Sequence, residues 1–433
     1  MRMVEQYRKK CVPAEEAVKV IKSNQVVYIE ADTGMPQRLV DAMVARAPRL
    51  RDVRILHLMV VGGKLSYLEP GLEKSFRHIA FFTGGGGARE AINEGRGEFI
   101  PVFLGEVGYL FYTGAIPIDV ALIHVSPPDQ HGFCSYGVSI DITKPAAECA
   151  RVIIAQVNPN MPRSLGDSFI HLSKIDYVVE VNDPLEELKS EPFTDVHRKI
   201  GKHISTLIEN GATLQTGIGA IPDAVLSFLG DKKDLGIHTE MFSDGVMELI
   251  DQGIITNQKK TIHPGKVIAS FFMGTKKLYD YVDNNPVFEF HPCHYTNDPF
   301  VISQNAKMVA INSAIEVDLT GQVCSDSIGY QIYSGIGGQV DFVRGAARSK
   351  GGKAIIAFPS TAKGDSVSRI APHLKEGAGV VTSRGDVHYI ATEYGIAYLH
   401  GKSINERAKA LINIAHPKFC DELERFARQR KWL

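Results

Sequence analysis

A glutamate inside an apolar segment is the residue of this sequence best placed to do chemistry. The segment GIHTEMFSDGVMELIDQG (236–253) carries Glu240 between Ile237 and Met241. A carboxylate is costly to bury unless it has a partner or a use. With a reference pKa of ~4.3, it is ionised at neutral pH and acts as a nucleophile without a base. The alternative is a Glu that faces solvent or bonds to the following helix turn.

A glycine-rich turn upstream of Glu240 is a candidate ligand loop. Residues 211–229, GATLQTGIGAIPDAVLSFL, have the pattern of a strand, a turn and a helix with Pro222 in its first turn. Gly217 and Gly219 allow backbone N–H groups to approach a ligand, and a helix N-terminus favours an anion. The pattern G-x-G-x-x-P is only part of a dinucleotide-binding fingerprint, so a plain tight turn explains it as well.

A second group of glycines precedes a predicted helix in the segment 333–360. Gly335, Gly337 and Gly338 lie in YSGIGGQVDF. Such glycines suit a backbone that comes very close to a ligand or offers an N–H to an oxyanion. A glycine-rich connector between two elements is the alternative.

Other polar residues are ordinary when taken alone. Asn297 in YTNDPF and Lys363 in STAKGD are typical of an Asx turn and a solvated lysine. The cluster FHPCH (290–294) lacks the further ligands that zinc requires at recognisable spacing, so we predict no metal site. No G-x-S-x-G elbow is present, which disfavours a Ser/His/Asp hydrolase.

The elements that must position these residues follow from the pattern of apolar runs. We expect a strand ending at about Met241, a turn at 243–245 and a helix from about Val246. Glu240 then lies at the carboxyl end of a strand, where open α/β sheets present ligands. Short apolar runs alternate with helical stretches, which indicates α/β domains with mostly parallel sheets; these runs are 119–126, 150–157, 306–313 and 352–360.

The chain also shows signs of an internal duplication. Three pairs of similar segments are separated by offsets of 186, 190 and 189 residues: 26–36 with 212–222, 79–85 with 269–275, and 129–135 with 318–325. The nearly constant offset indicates two copies of one unit. The alternative is that α/β units resemble one another by composition.

Length and composition agree with two domains. The chain has 433 residues, of which 44% are hydrophobic, more than one typical core accommodates. The polar, proline-punctuated segment 181–195 is the expected boundary. We therefore predict two similar α/β domains at 1–187 and 188–433, with Glu240 in the second.

Charge and cysteine usage narrow the class of partner. The 48 Lys and Arg residues nearly balance 49 Asp and Glu residues, which gives no electrostatic reason to expect nucleic acid or an anionic membrane surface. The six cysteines show no C-x-x-C spacing, as is typical of reduced thiols. No run reaches the ~18 apolar residues of a membrane helix. We expect a cytoplasmic protein with a small-molecule substrate.

Taken together, the motifs resemble one known family over almost the whole chain. They are similar to the acetyl-CoA hydrolase/transferase family of class I CoA-transferases, most of all to its 4-hydroxybutyrate CoA-transferase branch. The segments that carry this resemblance are QTGIGAIPDAV (215–225), HTEMFSDGVMELI (238–250), INSAIEVDLTGQV (311–323), GIGGQVDFVRGA (335–346), STAKGD (360–365) and TEYGIAYLHGKSINERA (392–408).

The resemblance implies a role for each candidate. Glu240 is the catalytic glutamate, the backbone N–H of Gly338 stabilises an oxyanion, and Asn297 supplies a side-chain amide. Ser334 stands where some relatives have asparagine. The residues expected to bind coenzyme A are Gln215, Thr216, Gly217, Ile218, Gly219, Ile315, Ser334, Gly338 and Lys363.

The resemblance also implies an activity. We expect an enzyme that moves coenzyme A between short-chain carboxylic acids (4-hydroxybutyrate, butyrate and acetate) through a covalent glutamyl-CoA thioester. Coenzyme A is then a substrate, and no permanently bound cofactor is expected. An acyl-CoA hydrolase that uses the same glutamate and a non-catalytic CoA-binding module are the alternatives. Symmetry favours a homodimer or homotetramer.

Overall fold

The computed structural model describes residues 2–189 and 192–433. Its strands are β1 (Val26–Ile29), β2 (Val53–Met59), β3 (Phe76–Gly84), β4 (Gly97–Phe99), β5 (Val120–Val125), β6 (Phe133–Ser135), β7 (Val152–Val157), β8 (Phe169–His171), β9 (Tyr177–Glu180), β10 (Thr213–Gln215), β11 (Gly236–Ile237), β12 (Met241–Phe242), β13 (Val267–Ala269), β14 (Phe271–Phe272), β15 (Phe288–Phe290), β16 (Met308–Ser313), β17 (Glu316–Asp318), β18 (Val323–Cys324), β19 (Ser327–Ile328), β20 (Gln331–Ile332), β21 (Lys353–Ala357), β22 (Thr361–Ala362), β23 (Val367–Ser368), β24 (Ile370–Ala371), β25 (Tyr389–Thr392) and β26 (Gly395–Tyr398).

The helices over the same described residues are α1 (Arg2–Lys10), α2 (Ala14–Ala17), α3 (Gln37–Val44), α4 (Ala88–Asn93), α5 (Leu104–Tyr112), α6 (Thr143–Cys149), α7 (Asp195–Ser205), α8 (Ala220–Ser227), α9 (Asp244–Asp251), α10 (Lys276–Val282), α11 (Cys293–Thr296), α12 (Pro299–Ser303), α13 (Gln339–Arg348), α14 (Ile404–Asn413) and α15 (Pro417–Gln429). Short 3₁₀ turns cover Val18–Val20, Ala47–Arg49, Ser66–Leu68 and Leu172–Lys174. None of these helices combines the length and hydropathy that a bilayer span requires.

The chain divides into two compact units. Unit 1 comprises Met1–Lys189 and Ile268–Thr296, and unit 2 comprises Ser190–Val267 and Asn297–Leu433. The segment 268–296 belongs to unit 1 because backbone hydrogen bonds tie it to residues 140–167, such as Ile140 N to Ser270 O at 3.1 Å and Asp167 N to Phe290 O at 2.8 Å. The domains predicted at 1–187 and 188–433 stay a prediction.

Unit 1 is built on a parallel sheet of seven strands. Their order is β4-β3-β2-β1-β5-β7-β9, and all neighbours pair in parallel. The interior strand β5 reads VALIHV and is buried at every position. Such continuous apolar runs form strands that are covered on both faces, as the sequence predicts.

Unit 2 repeats this topology with a smaller sheet. Its order is β11-β10-β16-β21-β25-β26, in which the first five strands are parallel and β26 is antiparallel. The segment β2-β1-β5-β7-β9 of unit 1 therefore corresponds to β11-β10-β16-β21-β25. The predicted class, two similar α/β units from an internal duplication, is confirmed.

One turn is repeated atom by atom in the two units. Asp129 Oδ1 accepts hydrogen bonds from the backbone N–H groups of His131 and Phe133, and Gly132 adopts a left-handed φ of 86°. Asp318 Oδ1 accepts in the same way from Thr320 and Gln322, and Gly321 has a φ of 92°. This is the third of the three sequence matches.

The second sequence match has a different outcome. Residues 79–85 lie mostly in β3 of the large sheet, whereas 269–275 lie outside the sheet of unit 2 and belong to unit 1.

Candidate active site

Glu240 lies just beyond the carboxyl end of β11, in the connection to β12. Strand β11 ends at Ile237, four residues earlier than predicted, and α9 begins at Asp244 rather than at Val246. Side chains cover the open edge of this strand. Asn257 Oδ1 accepts from the Ile237 N–H at 2.9 Å, and Lys260 Nζ donates to the Ile237 carbonyl at 2.7 Å.

Two other predicted site residues meet the Glu240 carboxylate. Asn297 Nδ2 donates a hydrogen bond of 2.7 Å to Glu240 Oε2. A Cβ atom built on Gly338 would lie 2.0 Å from the same oxygen and 2.3 Å from Asn297 Nδ2. Only glycine fits at 338, and the reason is space rather than conformation, because its φ is −94°.

The surroundings of the Glu240 carboxylate favour negative charge. Gly338 is the N-cap residue of α13, a helix of ten residues, so the positive end of the helix dipole lies close by. Asn297 is fully buried, and its Oδ1 has no hydrogen-bond partner among the described residues. A buried amide whose N–H group points at a carboxylate is a preorganised donor.

The glycine-rich loop after β10 lies at the switch point of the sheet. From β10 the chain continues to β11 on one side, while β16 pairs on the other, the place where open α/β sheets bind ligands. Gly219 has a φ of 103°, and a Cβ there would meet nothing within 4 Å, so conformation is the reason for this glycine. Ile218 and Gly219 are exposed. The accessible part of the loop is thus 217–219.

Gln215 and Thr216 are buried at the base of this loop. Gln215 Oε1 accepts from the Ile311 N–H and from Asn312 Nδ2, both at 3.1 Å, and so braces β16. Thr216 is bonded through both its backbone N–H and its carbonyl to the hydroxyl of Thr239. The hydrogen bonds of the Gln215 side chain are therefore made within the sheet.

Ile315 and Ser334 both bond to backbone carbonyls of the neighbouring residues Cys324 and Ser325, which the sequence analysis missed. The Ile315 N–H donates to the Cys324 carbonyl at 2.8 Å. Ser325 Oγ donates to the Ser313 carbonyl at 3.2 Å, and the Ser325 carbonyl accepts from Ser334 Oγ at 2.9 Å. Arg369 Nε donates to the Ile315 carbonyl at 2.8 Å, which holds that loop from the other side. Ile315 and Ser334, both predicted to contact coenzyme A, are therefore half-buried residues in segments that are held by hydrogen bonds.

Lys363 lies apart from these groups. It is exposed in the turn between β22 and β23, with a left-handed φ of 52°. Within the described parts of the chain, its ammonium group makes no hydrogen bond or ion pair. The contacts bring Glu240, Asn297 and Gly338 together but do not join Lys363 to them.

Sequence reasoning missed the residues that hold the site in place. The side chains of these residues bond to backbone atoms, and such bonds leave no recognisable spacing in the sequence. They are Thr239, Asn257, Lys260 and Arg369. Of these residues, only Thr239 could have been found from the sequence, because it directly precedes Glu240 in HTEM.

Comparison with known proteins identifies the family. The family profile for the acetyl-CoA hydrolase/transferase N-terminal domain matches residues 1–186, and that for the C-terminal domain matches 274–427. The 4-hydroxybutyrate coenzyme A transferase of Clostridium kluyveri is 56% identical over 98% of each chain.

Solved structures agree with this assignment. The crystal structure of 4-hydroxybutyrate CoA-transferase from Porphyromonas gingivalis is similar with a TM-score of 0.86 and 43% identity, covering 99% of each chain. RipA from Yersinia pestis has a TM-score of 0.94 and 36% identity, with complete coverage of both chains. The chain belongs to the acetyl-CoA hydrolase/transferase family.

Proposed function

We propose that this protein is a CoA-transferase that exchanges coenzyme A between short-chain carboxylic acids, with Glu240 as the nucleophile. The observation that carries the proposal is the approach of Asn297 and Gly338 to the Glu240 carboxylate. Relatives named 4-hydroxybutyrate coenzyme A transferase and butyryl-CoA:acetate CoA-transferase, 56% and 39% identical, support 4-hydroxybutyrate, butyrate and acetate as substrates.

The first half-reaction transfers coenzyme A to the enzyme. A Glu240 oxygen attacks the thioester carbonyl of acyl-CoA, the C–S bond breaks, and CoA thiolate leaves a mixed acyl-glutamyl anhydride. The thiolate then attacks the Glu240 carboxyl carbon. The C–O bond of the anhydride breaks, the first carboxylate departs, and a glutamyl-CoA thioester remains.

The second half-reaction reverses these steps with another acid. The incoming carboxylate attacks the glutamyl carbonyl and displaces CoA thiolate, which forms a new mixed anhydride. The thiolate attacks the acyl carbonyl, so that a new acyl-CoA forms and the Glu240 carboxylate is restored. Each tetrahedral intermediate carries an oxyanion, for which the Asn297 amide and the Gly338 N–H are the proposed donors.

Coenzyme A is proposed to lie along the carboxyl edge of the unit 2 sheet. Within the loop from Gln215 to Gly219, the accessible part 217–219 offers backbone groups, since the Gln215 side chain is engaged with β16 and the Thr216 backbone with Thr239. Ile315, Ser334 and Lys363 are the further proposed contacts. Coenzyme A acts as a substrate here, and no resident cofactor is part of the proposal.

The setting of the reaction is also a proposal. The six cysteines without paired spacing support a reducing cytoplasm. A homodimer or homotetramer remains the expectation from symmetry.

A chemical trap tests the nucleophile. Incubation with butyryl-CoA and no acceptor acid should accumulate the glutamyl-CoA thioester, which borohydride reduces to an alcohol at Glu240. Peptide mass spectrometry locates the change. Glu248 is the internal control, because it lies on the exposed face of α9 in the same segment. A label on any other residue, or inactivation that does not require acyl-CoA, would contradict the mechanism.

An exchange assay separates transferase from hydrolase and from a simple binding module. Butyryl-CoA is mixed with enzyme, with or without acetate, and acetyl-CoA and free CoA are measured. Acetyl-CoA formation that depends on acetate supports the proposal. Rapid release of CoA without acetate would assign a hydrolase instead, and tight binding with neither product would assign a module.

A further inference from the structure

A single buried hydroxyl joins the glycine-rich loop to the segment that carries Glu240. Thr239 is fully buried, and its Oγ1 lies 2.9 Å from the Thr216 carbonyl and 2.9 Å from the Met241 carbonyl. The same oxygen accepts a hydrogen bond from the Thr216 N–H at 3.3 Å. One side chain thus contacts both backbone polar groups of Thr216 and the carbonyl just after Glu240.

These contacts connect the glycine-rich loop with the segment that carries Glu240. Thr216 is followed directly by the exposed part of the loop, 217–219. Met241 follows Glu240, so its carbonyl orients the backbone that carries the nucleophile. A hydroxyl has one proton and two lone pairs. The Thr239 hydroxyl can therefore share its proton between the two carbonyls and accept a hydrogen bond from the N–H group.

The backbone groups around this hydroxyl are shielded from solvent. Thr216 is 2% exposed and Met241 is 5% exposed. Removing the hydroxyl would leave buried carbonyl and N–H groups without this partner, which is expensive, so the local backbone would move to satisfy them. Such a movement displaces Glu240 relative to the loop even when the overall fold is kept.

We propose that Thr239 is a positioning residue that holds the Glu240 nucleophile in register with the coenzyme A loop. This inference rests on the proposed function. Asn297 and Gly338 locate the carboxylate itself, whereas Thr239 locates the backbone on either side of it. The thiolate of bound coenzyme A must reach the Glu240 carboxyl carbon, and a small misplacement of either segment slows that step strongly.

The test compares variants with and without the hydroxyl. Thr239→Val removes the hydroxyl at nearly constant volume, and Thr239→Ser keeps it. Thr213→Val is the matched control, since Thr213 lies on β10 with a buried Oγ1 that has no partner among the described residues. The readout is the single-turnover rate of glutamyl-CoA formation from butyryl-CoA, normalised to folded enzyme by circular dichroism.

We expect Thr239→Val to lower this rate about 10- to 100-fold, as misplaced reacting groups do. Thr239→Ser and Thr213→Val should stay close to the wild-type rate. A Thr239→Val rate equal to that of Thr213→Val would overturn the proposal. So would a Thr239→Ser rate as low as that of Thr239→Val, because the methyl group rather than the hydroxyl would then matter.

Two further outcomes are decided in the same experiment. If Thr239→Val does not fold, Thr239→Ala is the second hydroxyl-free variant, and failure of both to fold would assign Thr239 to folding and overturn the positioning role. If the wild-type enzyme itself forms no label at Glu240, the proposed covalent mechanism fails. That result is visible before any variant is compared, so it is distinct from a failure at Thr239 alone.

Discussion

Asn297 donates a hydrogen bond of 2.7 Å to the carboxylate of Glu240, although 57 positions separate the two residues along the chain. The amide is fully buried, while the carboxylate is only partly so. A buried donor therefore faces a carboxylate that is partly open to solvent. This arrangement is typical of a site organised before substrate binds.

Replacement of Asn297 should slow catalysis without abolishing the fold. We expect Asn297→Ala to lower kcat about 100-fold, the usual cost of one oxyanion donor. Asn297→Asp should be at least as slow, because a second carboxylate repels the charge on Glu240 and on each intermediate. Steady-state kinetics of butyryl-CoA and acetate exchange measure both. Wild-type kcat in Asn297→Ala would remove the proposed role.

Gly338 should tolerate no side chain in an active enzyme. In Gly338→Ala the new Cβ would overlap the Glu240 carboxylate and the Asn297 amide, so we expect turnover to fall at least about 100-fold, the cost of misplacing a reacting group. The free energy of unfolding in urea should change much less. Gly230→Ala is the control, since a Cβ there meets nothing within 4 Å. Retained activity in Gly338→Val would exclude the close approach.

Replacement of Lys363 should weaken the binding of coenzyme A substrates and change little else. We expect Lys363→Ala to raise the KM for acyl-CoA with little change in kcat, as loss of a ground-state contact does. Lys431→Ala is a matched control, because Lys431 is also exposed and has a left-handed φ of 59°. Any backbone strain is then common to both variants. An unchanged KM in Lys363→Ala would make Lys363 an ordinary solvated lysine.

The pH dependence of stability can be tested at one buried histidine of unit 1. Burial lowers the pKa of His57 to about 4, whereas an unfolded chain has a histidine pKa of about 6.5. Below about pH 6.5 the unfolded state therefore takes up a proton that the folded state refuses until about pH 4. The contribution of His57 to the free energy of unfolding is lost as the pH falls through this window.

The variant His57→Gln removes that proton. Its destabilisation relative to wild type should shrink by about 1.4 kcal/mol for each pH unit between pH 6.5 and 4.5. Urea unfolding at pH 7.0 and 5.0 measures the difference. Ile55→Val, on the same strand, should lower the free energy of unfolding by the same amount at both pH values. A pH-independent cost of His57→Gln would show that the histidine is not held neutral.

The sequence by itself determined the class of fold and singled out Glu240 as the candidate nucleophile. Apolar β-branched runs such as 119–126 and 150–157 encode buried parallel strands locally, and β5 and β7 occupy them. The repeated Asp-turn at Asp129 and Asp318 is likewise a local motif. Glu240 stood out because an acidic residue in an apolar segment needs an explanation.

Only the tertiary structure decided which distant residues meet. Asn297 and Gly338 approach Glu240 through packing of separate elements, and no local pattern encodes a contact across such separations. The open edge of β11 at Ile237 is likewise covered by the side chains of Asn257 and Lys260, which lie further along the chain. Periodicity reports which face of an element is buried, but the atoms that cover it come from elsewhere in the chain.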